Sequence, residues 1–252
     1  DHIIKEQEIF AEAIEKAIPL AEDGKLVTFG IVPSVLSSGY GYIKRGSKIK
    51  SGFIVDKFVE KPNKDKAKEY ISDNQYYWNS GIFLFKASRY LEELKKFRPD
   101  ILESCIEATK SSEHDLDFIR VGENAFKSCD SESIDYAVME KTSDAVVVPM
   151  DAGWSDVGSW SALWDISDKD ENENVIKGDV IASNAKNSYL KTEDRLLCVA
   201  DVEDLVVVST KDAILIADKN SDQNVKRITE QLKSEKRTEW ENHREVFRPW
   251  GK

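Results

Sequence analysis

Three cysteines and three histidines are all that this 252-residue chain offers to soft metals or to nucleophilic catalysis. Cys105, Cys129 and Cys198 lack metal-ligand spacing, and His2, His114 and His243 lie far apart along the chain. A zinc site, a disulfide framework and a histidine-activated nucleophile are therefore not expected, and free thiols fit a reducing cytoplasm. Long apolar runs are missing too. The longest, such as "DLVVVST" and "AVVVPM", fall well short of a bilayer span, and no charged region followed by an apolar one opens the chain, so a soluble protein with no membrane partner is expected. Nor is there a block of positive charge. With 36 basic against 47 acidic residues the formal charge is -11, which argues against nucleic acid as a partner because affinity for a phosphate backbone rests on clustered cations. One or two placed cations still suffice for a small anion. No G-x-G-x-x-G, Walker or G-x-S-x-G pattern appears.

What is present alternates. Ile9, Phe10, Ala13, Ile14, Ala17 and Ile18 share one helical face before "EDG" stops the pattern. The segments "LVTFGIV", "GYGYIKRG", "FIVDKFVE", "SGIFLFKA" and "DAVVVPM" read as extended, and "KDKAKEYISDN" as a short charged helix. Three further helices are expected: "SRYLEELKKF" with Ser88 as N-cap, "DILESCIEATK" opened by Pro99, and "DLDFIRVGENAFKSC" carrying Leu116, Ile119 and Phe126. Ser159 is expected to cap a helix after "GWSDVG". From about Val175 short apolar runs separated by Gly, Asn and Asp turns predict a small β module, followed by a helix with Val225, Ile228 and Leu232 on one side. The expected class is α/β with an all-β appendage, the boundary falling in the polar tract near Asp170.

Four places carry candidate chemistry, each with a plain structural alternative. Glu60 and Lys61 stand at a strand end, where ligands of α/β sheets bind, but strands also end in polar turns and Pro62 stops this one. Asp156, between glycines and tryptophans in "GWSDVGSW", suits a hard cation and equally suits a helix entry. Asn79 in "NSGIFLF" offers donors and an acceptor to sugar hydroxyls, or simply ends a loop. Gly41 in "GYGYI" lets a ligand approach the backbone, or turns a strand pair.

The order of "LVTFGIVPS", "GYGYI", "FVEKP", "YYWNSGIFLF", "SIDYAVMEK", "VVVPMDAGWSDVGSW" and "NVIKGDV" resembles the bacterial mannose-1-phosphate guanylyltransferases, also called GDP-mannose pyrophosphorylases. The resemblance implies a partial nucleotidyltransferase domain with a Rossmann-like mixed sheet over residues 1–170. It further implies a small left-handed β-helix-like module plus helix over 171–238, and a linker over 239–252 leading toward an isomerase domain. The family's G-G-x-G-x-R-L loop has no match, so the chain is expected to lack the N-terminal nucleotide-binding segment. The implied reaction joins GTP and mannose 1-phosphate into GDP-mannose and pyrophosphate by in-line attack on the α-phosphorus. By motif, Asp1 and Asp156 would hold Mg²⁺, Lys61 would meet the sugar phosphate, and Glu60, Asn79 and the Gly41 backbone would form the sugar pocket. Self-association into a homo-oligomer belongs to the same expectation. The alternatives are a binding or regulatory relative without turnover, and a metal-dependent glycosyltransferase, against which "FVEKP" argues.

Overall fold

The computed structural model describes residues 2–243, apart from the side chains of residues 222–224. One unit spans Ile4–Trp154, and the other joins the residues up to Ile3 to those from Ser155 onward.

A two-residue strand β1 (Ile3–Ile4) leads into the first unit, whose elements are α1 (Gln7–Glu22), β2 (Leu26–Ile31), β3 (Tyr42–Ile49), β4 (Gly52–Val59), α2 (Lys64–Ser72) and β5 (Tyr76–Leu84). Then come α3 (Ala87–Phe97), α4 (Pro99–Lys110), the hairpin β6 (Glu113–Asp115) and β7 (Phe118–Arg120), α5 (Glu123–Lys127), a π-helical turn over Asp135–Met139, and β8 (Ala145–Met150). Strands β2, β5, β3, β4 and β8 hydrogen-bond in that order, and β8 pairs with β2 in parallel to close the sheet. Every other pairing in this sheet is antiparallel, so the sheet is mixed.

Both faces of β2 and β8 are covered, which is why they read as continuous apolar runs rather than alternating ones. Val27, Phe29, Val146 and Val148 face one way, packing with Ala13, Ala17 and Leu20 of α1. Leu26, Ala145 and Val147 face the other, packing with Leu94 of α3 and with Ala137, Val138 and Met139 of the π turn. Each large side chain buried this way contributes about 1.5–3 kcal/mol. The apolar face of α1 is turned from the expected one: Ala13, Ala17, Leu20 and Ala21 are buried while Ile9 and Ile18 are exposed. The alanines let the helix backbone lie close to the sheet.

Two further expectations need correction. Ser88 is not the cap of α3, which begins one residue earlier behind Lys86 with no side-chain cap. The stretch "DLDFIRVGENAFKSC" is not one helix but a hairpin followed by the short α5. Leu116, at φ +53°, makes the turn and is 94% exposed, and Gly122 separates strand from helix. The apolar spacing there fits a helix, but the β-branched residues on either side of Arg120 and the glycine favour extended chain.

The second unit holds β9's Ser155 (Trp154–Ser155), α6 (Trp160–Ile166), strands β10 (Val175–Lys177), β11 (Val180–Lys186), β12 (Tyr189–Thr192), β13 (Leu197–Glu203), β14 (Leu205–Ser209) and β15 (Ile214–Asp218), and α7 (Asp222–Ser234). Strands β10, β12 and β14 pair in parallel, as do β11 and β13, and β15 returns antiparallel on β14. The chain therefore winds as a coil. Its corners repeat: Asn184 and Asn187 have positive φ, and so do Asp201 and Asp204, 17 residues further on. Asn184 donates to Asp201 at 2.7 Å, and Asn187 donates to Asp204.

The division into compact units falls at Ser155, ahead of α6. Trp160, Leu163 and Trp164 of α6 pack on Val175, Tyr189, Val206 and Val208, and the Lys219 ammonium sits 3.3 Å from the Trp164 ring centroid. That apolar face draws α6 into the module, whereas the polar tract after it is only a turn.

Candidate functional site

Register brings Gly41, Glu60 and Asn79 together. Tyr42 lies opposite both Val59 of β4 and Trp78 of β5, so Gly41 just before β3 sits beside the residues that follow those two. The Asn79 N–H donates to the Gly41 carbonyl at 2.8 Å. A methyl group on Gly41 would overlap Glu60 Oε2 and stand 3.2 Å from Asn79 Cβ. Only glycine leaves the carboxylate its place.

The Glu60 side chain is 8% exposed, and its Oε1 accepts from Lys61 Nζ at 2.9 Å. Its Oε2 is buried without a hydrogen-bond partner among the described residues. A buried carboxylate oxygen left unpaired costs free energy comparable to a lost charged hydrogen bond, about 1–3 kcal/mol or more, so a donor from outside the chain is favoured there. Lys61 has φ +44°, unusual for a side chain this large, and its side chain is 60% exposed. The hydrogen-bonded, oppositely charged Glu60 raises the Lys61 ammonium above the ordinary lysine value, with smaller contributions from Tyr136 and Asp135. Lys61 is thus a held cation whose head still reaches solvent.

Asn79 is more constrained than its residue type suggests. Its Oδ1 accepts from Thr28 Oγ1 at 3.1 Å and from the Gly81 N–H at 3.2 Å, and its Nδ2 donates to Asp135 Oδ1 at 2.9 Å. Both lone pairs are occupied, which fixes the amide's orientation and leaves one N–H to offer. The chain's own donors thus take the acceptor positions of Asn79, and what it has left to offer a ligand is a proton. Asp135 and Glu140, whose Oε1 accepts the Glu60 backbone N–H at 3.0 Å, were not expected at the site. The signal available in sequence was the pair of acids bracketing the apolar "YAVM".

Asp156 belongs to the second unit, where its Oδ1 accepts the Gly158 N–H at 3.2 Å in a tight turn ahead of α6. Val157 has φ +51°, and Ser159 caps α6 by accepting the Ala162 N–H at 3.1 Å. Among the described residues no three His, Cys, Asp or Glu side chains cluster as metal ligands. A single carboxylate still fits Mg²⁺, which takes one or two protein carboxylates together with substrate phosphates and water. Asp1 lies outside the described residues.

Comparison with known proteins identifies the scaffold. A family model described as nucleotidyl transferase matches residues 1–173. The chain belongs to the nucleotidyl transferase family. Transferases of this kind generally use a divalent metal ion. A second model, the MannoseP isomerase/GMP-like beta-helix domain, matches residues 178–232 and agrees with the parallel coil. A mannose-1-phosphate guanylyltransferase of Escherichia coli (strain K12) is 57% identical over 258 residues, covering 100% of the chain and 54% of that protein. One from Salmonella montevideo is 58% identical over 259 residues, covering 100% and 55%. The chain spans about half the length of the curated relatives it matches. A crystal structure of mannose-1-phosphate geranyltransferase from Thermus thermophilus superposes with a TM-score of 0.79 at 29% identity, covering 92% of this chain and 68% of that one.

Proposed function

We propose that the protein containing this chain is a mannose-1-phosphate guanylyltransferase, making GDP-mannose and pyrophosphate from mannose 1-phosphate and GTP. The observation that carries the reading is the buried Glu60 carboxylate, with an unpartnered Oε2 beside Gly41 and Asn79 and a cation attached to its other oxygen. A sugar hydroxyl satisfies the first atom and a phosphate the cation. The names of the relatives supply the same pairing of sugar and phosphate.

In this reaction a phosphate oxygen of mannose 1-phosphate forms a bond to the α-phosphorus of GTP, and the bond to the departing pyrophosphate breaks with its electron pair. Positioning and charge neutralisation are what the chain contributes. Glu60 Oε2 accepts from a hydroxyl, the free Asn79 N–H donates to one, and the Lys61 ammonium orients the sugar phosphate. Asp156, with Asp1, would supply carboxylate oxygens for Mg²⁺, which would offset charge on the phosphates. The proposal includes residues 1–170 as the transferase domain, 171–238 as the β module with its helix, and 239–252 as a linker toward an isomerase domain. It also includes a cytoplasmic location, in keeping with three free cysteines among the described residues, and self-association.

The test is pyrophosphate release by the full-length protein with GTP, mannose 1-phosphate and Mg²⁺, beside calorimetry with each ligand. Turnover supports the proposal. Binding of mannose 1-phosphate without release favours the non-catalytic relative. Lys61→Ala should lower kcat/KM for mannose 1-phosphate about 100-fold or more while leaving the melting temperature nearly unchanged. A loss of only a few-fold would remove Lys61 from the phosphate role.

A further inference from the structure

We infer that Asp135 and Glu140, at the two ends of one π-helical turn, are positioning residues that fix the ligand-facing atoms of Asn79 and Glu60. The inference rests on the reading of that pocket as a sugar-phosphate site.

The turn Asp135–Met139 is closed by the Glu140 N–H donating to the Asp135 carbonyl at 2.9 Å, a bond from residue i+5 to residue i. Five residues along an α-helix point about 140° apart. Widening the turn by one residue brings positions i and i+5 toward the same side, and such turns recur at functional sites. Here the two acids each hold one member of the pocket. Asp135 Oδ1 takes one Nδ2 proton of Asn79 at 2.9 Å, and Glu140 Oε1 takes the backbone N–H of Glu60 at 3.0 Å. Ala137, Val138 and Met139 between them are buried in the core, so the turn is anchored from below.

Asp135 completes the hold on the Asn79 amide by taking one of its two protons. Without it, the Thr28 hydroxyl and the Gly81 N–H still hold Oδ1, but the second amide proton has no fixed partner. Glu140 acts on the main chain of Glu60, immediately before the positive φ of Lys61. It fixes the corner from which both side chains project. Neither acid need touch the substrate for this.

Steady-state kinetics of the full-length protein, varying each substrate in turn, would test the pair. Asp135→Ala is expected to raise KM for mannose 1-phosphate about 10-fold or more, with KM for GTP within two-fold. Glu140→Ala should act in the same direction, and Glu140→Gln, which keeps an accepting oxygen, should restore most of the loss. The double variant Asn79→Asp/Asp135→Asn reverses the hydrogen bond. It should regain the melting temperature lost by Asn79→Asp alone yet stay weak for the sugar phosphate, because no amide proton then faces the ligand. Equal changes in both KM values, or an unchanged KM for the sugar phosphate in Asp135→Ala and Glu140→Ala, would overturn the inference. A wild-type protein that neither binds mannose 1-phosphate nor releases pyrophosphate would instead overturn the functional reading beneath it.

Discussion

At the scale of single residues, the pocket depends on an atom that is absent. Gly41 carries no side chain where Glu60 Oε2 needs room, and the nearest obstacle to a methyl group is the end of that side chain rather than the backbone. Gly41→Ala is therefore expected to fold, losing no more than about 1 kcal/mol. It should bind mannose 1-phosphate at least about 10-fold more weakly, since the displaced carboxylate no longer accepts from the ligand. Calorimetry beside thermal melting separates the two effects, and unchanged binding would show that Oε2 is not used. The residues themselves were readable in "GYGYI", "FVEKP" and "NSG", but their meeting was not. It is a product of strand register, with Tyr42 opposite both Val59 and Trp78, and register is a long-range property that local pattern does not contain. Asp135 and Glu140 escaped for a related reason. A helical count sends them to different sides, and only the wider turn aligns them.

Elements show where local signals suffice and where they fail. Ser159 caps α6 and Pro99 opens α4, as their positions in the sequence imply. The hairpin at Leu116 contradicts an equally regular apolar spacing, because a turn at positive φ and a glycine outweigh periodicity in so short a stretch. The coil corners are a second case. Asn and Asp tolerate the left-handed conformation that a β-branched residue resists by roughly 1–2 kcal/mol. Asn184→Val should cost at least that much in urea unfolding, since it also removes the bond to Asp201. Between elements, Arg89 bridges Glu93 of its own helix and Asp144 ahead of β8, each at 2.7 Å. Glu93 is nearly buried. Arg89→Met leaves that carboxylate without its cation and should destabilise the protein by about 3 kcal/mol.

Across the whole molecule, such pairs set the response to acid. Lys25 and Arg89 hold the Asp144 carboxyl below its ordinary value, and Arg98 pushes Asp100 down to about 2. A lowered carboxyl stabilises the fold above the unfolded-state value, and that contribution disappears as pH falls through the folded-state value. Urea midpoints should therefore hold steady from neutrality to about pH 5, then fall between about pH 4 and pH 2. Asp144→Asn should flatten the fall, and an equal slope in the variant would exclude Asp144 as a contributor. The excess of acids over bases says nothing of this, because net charge does not record which carboxylates are paired. The apolar spacing along the chain did indicate the alternation of helices and strands and the separate β texture, while the division at Ser155 depends on where the Trp160 and Trp164 rings pack.

The fixed amide of Asn79 gives the pocket a polarity. With both lone pairs engaged it can only donate, and the bare oxygen of Glu60 can only accept. A hydroxyl is able to serve at either place, but a fluorine, which accepts weakly and never donates, is not. In a series of deoxyfluoro sugar phosphates, tolerance for fluorine would mark the ring position that meets Asn79, and its rejection the position that meets Glu60.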